Sequence, residues 1–113
     1  MHIEEHITSE VAVLVLKGEL LDEEDSLTLH QKVTSLALDW ITKVIIDLGK
    51  VNRINSRGLS ALILAVRTMR GSGGDIRFAQ LDRHINDIFV KTKLVQIFNT
   101  YETVGRAVAS YMT

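Results

Sequence analysis

The sequence predicts a single α/β domain built on a mixed, mainly parallel sheet, with its elements in the order ββαβαβαβα. Three observations carry that prediction. From residue 11 onward, short β-prone runs alternate with amphipathic helical stretches, and single helices between strands imply parallel pairing through right-handed crossovers. The first two β-prone runs are joined only by Thr8-Ser9-Glu10, which is short enough for an antiparallel hairpin. The chain has 113 residues, which is room for one domain spanning residues 1–113.

Each element has its own justification. Residues 2–7 alternate weakly and form an edge strand. Val11 to Leu16 is a continuous apolar run followed by Lys17-Gly18, the pattern of a buried strand. A helix starts near Asp22, which can cap it. Asp25 stands three residues on, and Glu23 and Glu24 suit the positive end of the helix dipole. Leu29, Val33, Leu36 and Trp40 follow at spacings of 4, 3 and 4 and make one apolar stripe. Lys43 to Leu48 reads as a second buried strand, and Asn52 to Asn55 as a short polar connection.

Leu59, Leu62, Ile63, Val66 and Met69 then mark a second helix, which Gly71-Ser72-Gly73-Gly74 ends. Asp75 to Ala79 is the next strand. Leu81, Ile85, Ile88 and Phe89 mark a short third helix, and Val95 to Phe98 a last strand. Asn99 with Glu102 resembles a capping box ahead of a final stripe of Val104, Ala107, Val108 and Tyr111.

Composition excludes several kinds of function. Thirteen basic against 14 acidic residues give a net charge of −1, unlike a basic nucleic-acid binder or a polybasic membrane patch. There is no cysteine, hence no disulfide, thiolate zinc site or cysteine nucleophile. The N-terminus lacks the basic flank and apolar run of a signal peptide, and the apolar runs fall far short of the ~20 residues of a membrane helix. A cytoplasmic protein is expected, with no direct nucleic-acid contact and no membrane insertion.

The candidate chemical motifs mostly reduce to structure. The Gly71–Gly74 run follows a helix and precedes a strand, the reverse of a phosphate loop. The acidic run Asp22 to Asp25 lacks the ligand spacing of a calcium loop. His2 and His6 would lie ~13 Å apart on a strand, too far to share a metal. Asp47 ends a central strand but lacks the acidic pair that would hold magnesium beside a phosphoacceptor aspartate. No catalytic residue, metal or cofactor is expected, and the protein is not read as an enzyme.

The informative segment is Ile54-Asn55-Ser56-Arg57-Gly58-Leu59. Ser56 stands at a helix start, where backbone N–H groups lack partners. Two readings compete there. Ser56 or Asn55 caps the helix, or Ser56 accepts a phosphate, with Arg53 or Arg57 available to pair with it.

The setting of that segment resembles the STAS domain, above all the short single-domain anti-sigma factor antagonists. The likeness lies in residues 16–22, in Val44 to Leu48 with Ile54 to Leu59, and in Gly73 to Phe78 with Ile88-Phe89 and the Leu94 to Phe98 region. The resemblance implies that Ser56 is the phosphoacceptor. It places Asp22, Arg53, Asn55, Arg57 and Gly58 in the partner-binding loop and helix start. It implies partner switching. The dephosphorylated antagonist binds an anti-sigma factor that is also a serine kinase, phosphorylation breaks the complex, and a phosphatase restores it. Two residues depart from the family loop: neutral Asn55 stands for its aspartate and Arg57 for its second Ser or Thr, each shifting the local charge by +1. An extra Leu in Gly18-Glu19-Leu20-Leu21-Asp22 is expected to lengthen a loop nearby. The departures leave an alternative, a non-phosphorylated STAS subunit or scaffold, for example of a bacterial lipid-transport ATPase complex. Oligomeric state is left open.

Overall fold

A computed structural model describes residues 1–112. Five strands form one sheet in the order β1-β2-β3-β4-β5. They are β1 (His2–Thr8), β2 (Val11–Leu20), β3 (Lys43–Ile54), β4 (Asp75–Ala79) and β5 (Thr100–Tyr101). The helices are α1 (Glu23–Leu38), α2 (Ser56–Gly71), α3 (Arg83–Lys91) and α4 (Val104–Ser110), with a 3-10 turn at Leu94–Gln96. β1 pairs antiparallel with β2, and every other pairing is parallel. The hairpin turns at Ser9 and Glu10, whose φ angles of 49° and 65° match the twist of a two-residue hairpin loop. The element order is the one the sequence predicts.

Continuous apolar runs arise because the central strands are covered on both faces. Ala12, Leu14 and Leu16 of β2, with Val44, Ile46 and Leu48 of β3, pack under α1, α2 and α3. Val11, Val13 and Val15, with Ile45, pack on the other face with Ala107, Val104 and Val108 of α4. Tyr111 pins α4 down. Its hydroxyl reaches the carbonyls of Val44 and Asp75 at 2.9 and 3.0 Å. The Arg77 guanidinium lies 4.0 Å from its ring centroid. Burial, helped by the Asp75 charge, pushes the phenol up to about 12, so it stays a neutral donor.

Three sequence expectations shift. Trp40 leaves the α1 stripe: the helix ends at Leu38, and Trp40 turns outward at φ 63° with 88% of its surface exposed. Ile41 folds back instead, its N–H donating to the Leu36 carbonyl at 3.0 Å, and packs on the core. Val95 to Phe98 is no strand. Leu94 and Phe98 are buried while Val95 and Ile97 are 40% and 53% exposed. That is a helical spacing, closed by a Phe98 N–H to Leu94 carbonyl bond of 2.8 Å. The last strand forms after it, at Thr100–Tyr101. Consequently Thr103, not Asn99, caps α4, accepting from the Arg106 N–H at 3.0 Å, because the strand has to end before the helix begins.

The Gly71–Gly74 run does stop α2. At Gly74 the chain passes so close to its neighbour that a Cβ would stand 2.5 Å from the Thr42 carbonyl oxygen. Phe98 stacks on Phe78 with centroids 4.7 Å apart, and Phe89 meets both edge-on at 6.0 and 5.6 Å. This cluster holds α3 and the 3-10 turn to β4. Phe89→Ala should therefore cost about 3–5 kcal/mol in urea denaturation. Trp40→Ala should stay within about 0.5 kcal/mol.

Candidate functional site

The segment around Ser56 sits where β3 ends and α2 begins. The expected connection from Asn52 to Asn55 is mostly strand, because β2 and β3 run on together beyond the rest of the sheet. β4 ends against Asp47. β2 continues to Leu20, pairing Lys17 with Lys50, Gly18 with Val51, Glu19 with Arg53 and Leu20 with Ile54, with register shifts after Val15 and after Gly18. The extra Leu therefore lengthens no loop. Leu20 ends β2 fully buried, and Leu21 alone leads to the α1 cap.

Asn55 caps α2. Its side-chain Oδ1 accepts the Gly58 N–H at 3.0 Å, and its backbone carbonyl accepts the Leu59 N–H at 2.9 Å. Its Nδ2 donates to the Leu21 carbonyl at 2.9 Å. This network fixes the amide orientation, since a flip would set donor against donor and acceptor against acceptor. Ser56 is thus relieved of capping. It is the first helical residue and exposed, and among the described residues no hydrogen bond engages its hydroxyl.

Gly58 is needed for close approach. A Cβ there would stand 2.2 Å from the Leu20 carbonyl oxygen and 2.7 Å from Ile54 Cγ1. Asp22 lies on the other side of the same corner. Its Oδ1 accepts the Asp25 N–H at 2.8 Å, while Asp25 Oδ2 accepts from the Leu21 and Asp22 N–H groups at 3.1 and 3.3 Å. Asp25 Oδ1 also meets the Met1 ammonium at 3.1 Å. Burial opposes ionisation of Asp25. The Leu21 N–H, the ammonium and the Asp22 N–H outweigh it and hold the carboxyl below its ordinary value.

Arg53 and Arg57 separate. Arg53 pairs with Glu19 at 3.2 Å across the two strands, an exposed pair of small energetic weight. Arg57 is exposed, and no ion pair engages it among the described residues. The first turn of α2 carries no acidic residue, unlike that of α1. The exposed start of α2 thus combines the positive end of a helix with an unengaged cation next to Ser56 in the chain, a setting that favours negative charge. Asp47 stays outside this site. It is 6% exposed and accepts from the Gly49 N–H and Gln80 Nε2, both at 2.8 Å, tying the middle of β3 to the residue that follows β4.

The structure brings Asp22, Asn55 and Gly58 to one corner through Leu20 and Leu21. Sequence reading missed Leu21 as a partner and Glu19 as the mate of Arg53. Each contact joins residues 34 apart in the chain, and no local spacing marks it.

Two outcomes follow from this geometry. Gly58→Ala should cost at least about 1–3 kcal/mol of stability by overpacking, because backbone rather than a flexible side chain blocks the methyl. Asp25 contributes stability above its ordinary pKa of 3.8 that is lost as pH falls through its lower folded value. The stability gap between the natural chain and Asp25→Asn should thus narrow as pH falls from 3.8 towards that lower value and stop narrowing below it, measured by denaturant titration at each pH.

Comparison with known proteins meets this picture from outside. BtrV of Bordetella bronchiseptica, named "putative anti-sigma factor antagonist", is 27% identical over 71 residues, which are 63% of this chain and 61% of that protein. The crystal structure of TM1081 from Thermotoga maritima bears the same description. It superposes with a TM-score of 0.89 at 20% identity, covering 98% of this chain and 95% of that one. The Bacillus anti-sigma factor antagonist SpoIIAA, in its unphosphorylated form, superposes with a TM-score of 0.73 at 14% identity, covering 98% and 97% of the two chains. The STAS domain profile matches residues 2–107. On that match, which takes in both the sheet and the Ser56 corner, the chain belongs to the STAS domain family.

Proposed function

We propose that this domain is a regulatory protein-binding module of the anti-sigma factor antagonist type, working by partner switching with Ser56 as phosphoacceptor. One observation carries the reading. Asn55 performs the capping, so the Ser56 hydroxyl is exposed and uncommitted on a firmly held helix start. The partners are an anti-sigma factor with serine kinase activity and a phosphatase, and the setting is cytoplasmic. This chain contributes the hydroxyl and the surface, and its partners contribute the catalysis.

The switch is electrostatic. Phosphorylation would add about two negative charges at one point of a surface whose net charge is −1. An interface that accepts a neutral serine would then have to desolvate a dianion or face it with its own acidic groups. Asp22, Arg53, Arg57 and the backbone held by Asn55 and Gly58 frame the contact.

The neutral Asn55 and the cationic Arg57 favour a second reading, a STAS subunit that binds its partner without being phosphorylated. One experiment separates the two. The protein is incubated with ATP and the kinase-type partner from its own cells, and Ser56 is examined by mass spectrometry. Phosphate on Ser56, absent from Ser56→Ala, is the expected result. In binding assays Ser56→Asp should weaken the complex and Ser56→Ala preserve it. No phosphate, equal binding by both variants and co-purification with an ATPase would establish the second reading instead.

A further inference from the structure

The starts of α1 and α2, set side by side by the Leu20–Ile54 pairing, are tied further by one side chain. Asn55 takes the Gly58 N–H on its Oδ1 and gives its Nδ2–H to the Leu21 carbonyl, at 3.0 and 2.9 Å. Leu21 is itself held, since its N–H donates to Asp25. The chain of contacts therefore runs from the α2 start through Asn55 and Leu21 into the Asp22–Asp25 capping box of α1.

An amide serves two groups in this place. Capping needs an acceptor, which aspartate or serine would also supply. The Leu21 carbonyl needs a donor at the same time, and a carboxylate would set a second acceptor against it. Serine is too short to serve both groups. Asn55 is thus more than a cap.

We infer that Asn55 is the positioning residue of the Ser56 loop, coupling it to the β2–α1 corner so that a charge placed at Ser56 is felt at Leu21 and Asp22. The phosphate-responsive surface then includes the start of α1 as well as the start of α2. A partner reading that surface senses the state of Ser56 at two corners. This inference rests on Ser56 as the acceptor, and its physical content can be measured without any kinase.

The coupling predicts a specific pattern. A phosphoserine introduced genetically at position 56 should shift the amide resonances of Leu21 and Asp22 as well as those of residues 53–60. In Asn55→Ser, which keeps a cap oxygen but not the tie, the shifts should stay within 53–60. The Leu21 and Asp22 amides should also exchange with solvent about threefold to tenfold faster, as expected for one lost hydrogen bond. Asn55→Asp is the companion variant. If Asn55 were only a cap, Asp would match or better it; coupling instead requires faster exchange at Leu21 and Asp22.

Equal long-range shifts in the natural and Asn55→Ser proteins would overturn the inference. Unchanged corner exchange in Asn55→Asp would overturn it as well. Absence of Ser56 phosphorylation by the kinase partner would instead strike the functional reading, leaving the measured coupling as a property of the fold.

Discussion

β2 and β3 stay paired after β4 has ended, and this prolonged parallel pairing governs the geometry of the site. It carries Leu20 and Ile54 beyond the body of the sheet, side by side. One leads within two residues to the cap of α1, the other within one residue to the cap of α2. The two helix starts are consequently held at one corner by strand hydrogen bonds. Gly58 lets α2 sit directly against the Leu20 backbone there, and Asn55 closes the remaining gap.

A corner built this way separates two tasks that one residue could have combined. Helix capping and packing are assigned to Asn55, Gly58 and Leu20, which are held by short contacts. Ser56 and Arg57 are exposed on the same turn and, among the described residues, make no hydrogen bond or ion pair of that kind. A surface side chain that does no structural work can be modified without unfolding the domain, a basic requirement for a reversible switch. The Arg53–Glu19 pair, exposed and weak, can rearrange when a new charge arrives.

The departures from the family loop look different in this light. As a sequence change, Asn55 for aspartate is the loss of a charge. In the fold it is the gain of a donor, and that donor meets the carbonyl of Leu21, part of the Gly18-to-Asp22 segment that carries the extra leucine. The added residue makes no floppy loop, because Leu20 is drawn into the core beside Ile54. Arg57 finds no such role, and its effect falls on whatever approaches Ser56.

Local chemistry and periodicity made much of the fold readable. The continuous apolar runs and helical stripes marked the elements, the capping box at Asp22 and Asp25 placed the start of α1, and the glycine run placed the end of α2. These depend on residues within one or two turns of each other, so the sequence alone determined them, together with the STAS likeness and Ser56 as the residue to watch. Tertiary structure decided the rest. Trp40 against Ile41, and a 3-10 turn against a strand at residues 95–98, are choices between similar local patterns settled by which side chain reaches the core. The division of labour between Asn55 and Ser56 was settled the same way. Either residue suits a helix start, and only the Leu21 carbonyl, brought there by the long β2–β3 pairing, offers the amide a second bond that a hydroxyl one position later cannot make.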